Sequence, residues 1–138
     1  LFGFDPKVAF VSHSTFGQPV TNRTKHIRKA VDILKEKNVD FEFDGDMQPD
    51  VALNKDYQNL YPFSKIVGNA NILIMPGQHS AAISYKMMKE LGDTKVIGPL
   101  LIGLGLPIEI APLRTSTSEL INLASIAAYS ADVIDYKK

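Results

Sequence analysis

NILIMPGQHSAAISYKMMKEL, residues 71–91, decides how the rest of the chain is read. Residues 71–75 form an apolar run too short for a stable helix and rich in branched side chains, which is the pattern of a buried strand. Pro76 and Gly77 end it. From Ser80 the period changes: Ile83, Met87 and Leu91 recur at every fourth residue, with Ser80, Ser84 and Met88 on the same face. Tyr85, Lys86, Lys89 and Glu90 lie opposite, so the spacing predicts an amphipathic helix. A strand that feeds a helix through a tight Pro-Gly loop puts that loop at the carboxyl end of a parallel strand, where open α/β sheets keep their ligands. The search for a site therefore begins at residues 77–80.

The same alternation extends through the chain. Residues 7–14 (KVAFVSHS) read as a first strand that turns polar at Ser12, and a loop punctuated by Gly17 and Pro19 follows. Thr21 or Asn22 can cap the next helix, whose apolar stripe is Ile27, Ala30, Val31 and Leu34. Its basic side, Arg23, Lys25, Arg28, Lys29, Lys35 and Lys37, reads as a solvated face. Residues 41–46 (FEFDGD) are a second strand broken at Gly45, with Phe41 and Phe43 on one side and Glu42 and Asp44 on the other. Residues 46–54 are expected to form a turn and a short helix with Pro49 in its first turn, and residues 61–66 a further short helical turn.

Beyond Gly92 the segment 95–106 is apolar but carries Gly98, Pro99, Gly103 and Gly105, too many breakers for a helix. Val96 and Ile97 are expected to be a strand, and residues 108–111 a last one. Ser116-Thr117-Ser118-Glu119 is a capping box that opens a helix from about Thr117 to Val133. Its apolar residues go almost all the way round, so it needs cover on two sides. Together these elements predict an α/β domain of three layers, α/β/α, around a mainly parallel sheet.

Composition narrows the function. The 138 residues suffice for a single compact domain, and 45% of them are hydrophobic, enough for an ordinary core. Fifteen basic residues balance fifteen acidic ones, which gives no reason to expect nucleic acid or an anionic membrane as partner. The absence of cysteine rules out disulfides, thiol nucleophiles and thiolate metal sites, and suits a cytoplasmic protein. No run reaches the roughly 18 apolar residues of a membrane span. The chain opens at Leu1 without a leader pattern, so it is expected to be a piece of a longer polypeptide.

Spacing alone offers little catalytic chemistry. His13, His26 and His79 are scattered and no metal-ligand pattern joins them, so no metal site is expected. Asp44 and Asp46, on either side of Gly45, are read as turn formers rather than as paired carboxylates. Gly103 and Gly105 lack the third glycine and the lysine of a phosphate loop.

Five segments in order, VAFVSHSTFG (residues 8–17), DGDMQPDVAL (44–53), YPFSKIVGNANILIMP (61–76), ISYKMMKELG (83–92) and VIGPLLIGL (96–104), resemble the phosphate acetyl/butyryl transferase family. The STFG after the first strand and the NLYPF segment are most similar to the phosphotransacetylase-like domain at the C-terminus of bacterial NADP-dependent malic enzymes. The resemblance runs from about Lys7 onward. It implies an isocitrate/isopropylmalate dehydrogenase-like fold of two subdomains, with residues 1–138 the C-terminal part: about 1–112 the second α/β subdomain, and about 113–138 a final helix packed on a partner segment.

The resemblance also implies a cleft for acetyl-CoA. Active members carry Ser-Arg-Gly before the last helix and an aspartate six residues after the arginine. The arginine grips phosphate or acyl oxygen, the serine orients the carbonyl, and the aspartate is the base for the thiol. Here Leu113, Arg114 and Thr115 occupy the triplet and Leu120 stands at the aspartate position. Leucine can neither donate a hydrogen bond nor titrate, so no catalytic residue is expected. The family's Asp-Ala-Gly-Asn is replaced by His79-Ser80-Ala81-Ala82. Arg114, Thr115, Ser12, Ser14, Tyr85 and Lys86 are the expected ligand-binding residues. For Arg114 an ion pair with Glu109 is an equal alternative.

With leucine at both reactive positions, the resemblance implies a non-catalytic regulatory and oligomerisation domain of an NADP-dependent malic enzyme that senses acetyl-CoA as an effector. No cofactor is expected in this segment; NADP and a divalent metal would belong to an N-terminal region of the same polypeptide. A homo-oligomer, a dimer or larger, through the last helix is expected. The alternative is an active phosphate acetyltransferase that recruits Ser116, Thr115 or His79. A third reading keeps only the assembly role.

Overall fold

The computed structural model describes residues 3–92 and 94–133. In chain order the elements are β1 (Lys7–Val11), α1 (Asn22–Glu36), β2 (Glu42–Met47), α2 (Pro49–Leu53), α3 (Lys55–Gln58), β3 (Ile72–Ile74), α4 (Gln78–Leu91) and α5 (Thr117–Val133). The chain divides into two compact units, Leu1–Ser84 and Tyr85–Lys138. The class is α/β, with a three-stranded, wholly parallel sheet in the order β2-β1-β3.

In the first unit β1 is central because it is apolar from Val8 to Val11. Val8, Ala9 and Val11 are buried. Adjacent strand residues point to opposite faces, so burial of both Val8 and Ala9 means that the sheet is covered on both sides. One side is closed by α2: Ala9, Met47, Val51, Ala52, Ile66 and Ala70 form one cluster, with Phe16, Tyr61 and Leu73 against it. Pro49 opens α2 at its first turn, where a missing N–H costs nothing. α1 packs against β2 and is fully buried at Thr24 and Val31. Thr21 is its cap: the Thr21 side chain accepts from Thr24 N–H at 3.2 Å, and Thr24 Oγ1 accepts from Thr21 N–H at 2.8 Å. Thr24 takes a place on the buried face, whereas Ala30, expected there, is exposed.

Asn71 fixes the register between β1 and β3. Its Oδ1 accepts from Lys7 N–H at 2.8 Å, its amide donates to Lys7 O at 3.0 Å, and its Nδ2 donates to Asp5 O at 2.8 Å. β3 itself is not the buried strand that its composition predicts. Ile72 and Ile74 are 40% and 42% exposed, because β3 pairs on one side only and, among the described residues, only its other face, through Leu73, packs against the core cluster.

Four further expectations need correction. Gly45 does not break β2; the strand runs through it to Met47, with a register shift between Phe10 and Val11 that leaves Asp46 as the extra residue of a bulge. The helical turn expected at residues 61–66 lies earlier, at Lys55–Gln58, where the Asn54 side chain accepts from Asp56 N–H at 2.9 Å. Residues 96–97 and 108–111, expected as strands, are irregular, since neither has a ladder partner among the described residues and Gly98, Pro99, Gly103 and Gly105 interrupt the run. The apolar stripe of α4 exists in the sequence but is not covered. α4 has no buried residue, and Ile83, Met87, Met88 and Leu91 are all exposed. On α5, Leu123 is buried while Leu120 and Ile121 are exposed. Among the described residues no helix is long and apolar enough to cross a membrane.

Candidate functional site

The second unit holds a cleft of about 430 Å³. One wall is the last part of α4, which presents Tyr85, Lys86 and Lys89. The irregular run at Val96, Ile97 and Gly98 and the turn at Pro112, Arg114 and Thr115 supply two more, and Glu119, Asn122 and Leu123 of α5 close it. Tyr85, Lys86 and Lys89 share a helix face by their spacing of three and four residues. Four of the six expected ligand residues, Tyr85, Lys86, Arg114 and Thr115, therefore meet at one cavity.

The turn that carries Arg114 is tightly bonded. Thr115 N–H donates to Pro112 O at 3.0 Å, and the Thr115 hydroxyl donates to the same oxygen. Ser116 N–H and Oγ–H donate to Glu119 Oε2 at 2.7 and 2.8 Å, and Glu119 N–H returns a bond to Ser116 Oγ at 3.3 Å. This is the capping box expected from the sequence, and α5 starts at Thr117 as its composition predicts. Arg114 is exposed and forms no ion pair among the described residues. Glu109, its alternative partner, instead accepts from Leu101 N–H at 3.3 Å.

Glu119 carries a second bond that the capping pattern does not foretell. Its Oε1 is 2.7 Å from Lys89 Nζ. The Lys89 ammonium and the Ser116 donors hold the Glu119 carboxyl down at about 2, well below the ordinary 4.5, and the same contact with Glu119 raises Lys89 above its ordinary value. A depressed carboxyl stabilises the fold fully above its unfolded value and loses that contribution as pH falls from about 4.5 towards 2. We expect the Glu119 carboxyl resonance to titrate with a midpoint near 2, and the Ser116 amide shift to follow it. A midpoint at the ordinary glutamate value would mean that the pair is not formed in solution.

Ser12 and Ser14 stand elsewhere, in the first unit just past the end of β1. Both are buried. Ser12 Oγ accepts from Ser14 N–H at 3.2 Å, and Ser14 Oγ–H donates to the Asp46 carboxylate. Asp44 and Asp46 are correspondingly not solvent-facing turn formers. Asp44 accepts from Gly45 and Lys65 N–H at 2.9 and 2.8 Å. Asp46 is fully buried; its Oδ1 has no hydrogen-bond donor among the described residues and lies 4.0 Å from Arg28 Nε. The basic side of α1 is solvated as the sequence predicts, with all six of its cations exposed, and Arg28 among them comes near Asp46. Leu113 and Leu120 are both exposed, and neither lines the cleft of the second unit. His79 lies in the first turn of α4, within the first unit. Among the described residues no three His, Asp or Glu side chains gather as a metal site would require.

Sequence reasoning missed Lys89, Glu119 and Asn122 as cleft residues. Lys89 was legible from its place four residues after Tyr85, but nothing local pairs it with a carboxylate thirty residues away.

Comparison with known proteins gives these features a setting. A family model described as phosphate acetyl/butaryl transferase matches residues 1–128. The NADP-dependent malic enzyme of Rhizobium meliloti is 51% identical over 129 residues, 94% of this chain and 17% of that protein. The phosphate acetyltransferase of Bacillus subtilis is 33% identical, over 95% of this chain and 41% of its own length. Among solved structures, the EutD phosphotransacetylase of Staphylococcus aureus superposes with a TM-score of 0.84 at 31% identity, covering 94% of this chain and 41% of that one. The chain therefore spans about a sixth of the malic enzyme and about two-fifths of the phosphotransacetylases that it matches.

Proposed function

This chain belongs to the phosphate acetyl/butyryl transferase family, and from that premise we propose that it is a non-catalytic regulatory and oligomerisation domain of an NADP-dependent malic enzyme that binds acetyl-CoA. The observation that carries this reading is the arginine at the cleft of the second unit, taken with two leucines of the sequence that lie outside the cleft lining. The family's arginine is present, exposed and free of a carboxylate partner among the described residues, while leucines stand where a serine and an aspartate would act. A guanidinium so placed can grip a thioester carbonyl or a phosphate by charge-assisted hydrogen bonds. Lys86 adds positive charge, and the apolar wall of Val96 and Ile97 suits a pantetheine arm. Binding energy gathered here would be passed on through contacts with the malate-oxidising region, where NADP and a divalent metal would be held.

The transferase alternative is weakened by what its substitute hydroxyls already do. Thr115 Oγ1 donates to Pro112 O, and Ser116 Oγ is held between the carboxylate and the amide of Glu119. Thr115 meets no base, and the carboxylate that Ser116 meets, Glu119, is held down at about 2 by Lys89 and the Ser116 donors, which makes it a poor proton acceptor.

Calorimetric titration of the complete protein with acetyl-CoA is expected to show binding that Arg114→Ala weakens by about tenfold or more, the value of a charge-assisted bond. Acetyl-phosphate formation is expected at background. Silence in the titration would remove the sensing role and leave assembly, and robust turnover would restore the transferase.

A further inference from the structure

Arg114 lines the cleft and is the residue proposed above to hold the ligand, yet its own side chain is held by no ion pair among the described residues. Its geometry must come from its turn. That turn is fixed at one end by Thr115, through two bonds to Pro112 O, and at the other by Ser116, through two bonds to Glu119 Oε2. The remaining oxygen of the same carboxylate is 2.7 Å from Lys89. Lys89 lies one helical turn after Tyr85 and Lys86, which form another wall of the cleft. One carboxylate thus ties two walls together.

Charge gives this bond a second consequence. Glu119 lines the cleft, and an unpaired carboxylate there would repel an anionic ligand at close range. Lys89 cancels it, which leaves Lys86 and Arg114 against a single further carboxylate of the lining, Glu90, so that the balance of the site stays positive. We propose that Lys89 and Glu119 are positioning residues for this cleft: their ion pair fixes the Arg114 turn against the helix that carries Tyr85 and Lys86, and it silences a carboxylate that would oppose an anion. The inference rests on the reading of this cleft as the acetyl-CoA site, and adds the device that orders it.

Two measurements on the complete protein test it. In titrations with acetyl-CoA, Lys89→Met is expected to weaken binding about tenfold by exposing the carboxylate and freeing the turn. Adding Glu119→Gln to Lys89→Met should recover about threefold or more of that loss, since glutamine keeps the capping box without the charge. Lys89→Arg should restore wild-type affinity because it keeps the pair. A general structural defect would not be rescued by removing the second partner. Without ligand, amide hydrogen exchange at Ser116 should quicken about tenfold in Glu119→Ala and about threefold in Lys89→Met. Lys89→Met affinity within twofold of wild type, or unchanged exchange at Ser116, would overturn the proposal. Should the wild-type protein not bind acetyl-CoA, the functional reading fails separately and the exchange experiment alone decides the positioning role.

Discussion

Gly45→Ala should lower the unfolding free energy of the chain by about 3 kcal/mol or more, as expected when a side chain is forced into packed backbone at a strained φ. Gly45 faces Phe10 across the β1–β2 ladder at the point where the register shifts. A Cβ there would sit 2.7 Å from both Phe10 O and Phe10 Cβ, and the residue's φ of +153° is one that side chains rarely adopt. Relief would require parting the two strands beside buried Asp46 and Met47. Gly68→Ala is the control. At φ +83° its Cβ would meet only the far end of the Lys7 side chain at 3.8 Å, so the expected loss is the backbone cost alone, roughly 1–2 kcal/mol. Urea unfolding followed by far-UV circular dichroism reads both, as midpoint shifts at constant slope. Equal losses for the two variants would show that the strands leave room for a side chain opposite Phe10.

Met47→Ala should cost about 3 kcal/mol, in the middle of the range for deleting a buried aliphatic side chain without collapse of the cavity. Met47 is fully buried in the cluster formed by Ala9, Val51, Ala52, Ile66 and Ala70. Three of those neighbours are alanines, which cannot reorient to fill the space. Met47→Leu nearly conserves volume and should cost less than about 1.5 kcal/mol. The same urea titration compares the two. If Met47→Ala were no worse than Met47→Leu, the cluster would not be the packed centre of the first unit.

Both effects arise in β2, a strand that the sequence locates but whose interior it misreads. Alternation assigned Asp44 to the polar side and Gly45 to a break, because a lone strand offers no other interpretation of FEFDGD. Burial of Asp46 depends on Ser14, thirty-two residues earlier, and on Arg28 from α1. A buried carboxylate is tolerated only where such partners converge, and convergence across that distance has no local signature. The same holds at the cleft. The capping box of Ser116 and Glu119 was legible because its partners are three residues apart, whereas the bond from Lys89 to Glu119 was not.

Residues whose state depends on neighbours in the chain were determined by the sequence itself: the polar switch that ends β1, a cap of α1 at Thr21 or Asn22, Pro49 at the start of α2, the start of α5 at about Thr117, and the five ordered motifs that mark the family. Tertiary structure alone decided what is covered. It left the stripe of α4, Leu120 and Ile121 of α5 and both isoleucines of β3 exposed, buried Ser12, Ser14 and Asp46, and brought Tyr85, Lys86, Arg114 and Thr115 to one cavity. The physical reason is that caps and periods are short-range preferences of the backbone, whereas burial and ion pairing are properties of surfaces that meet only after the chain has folded.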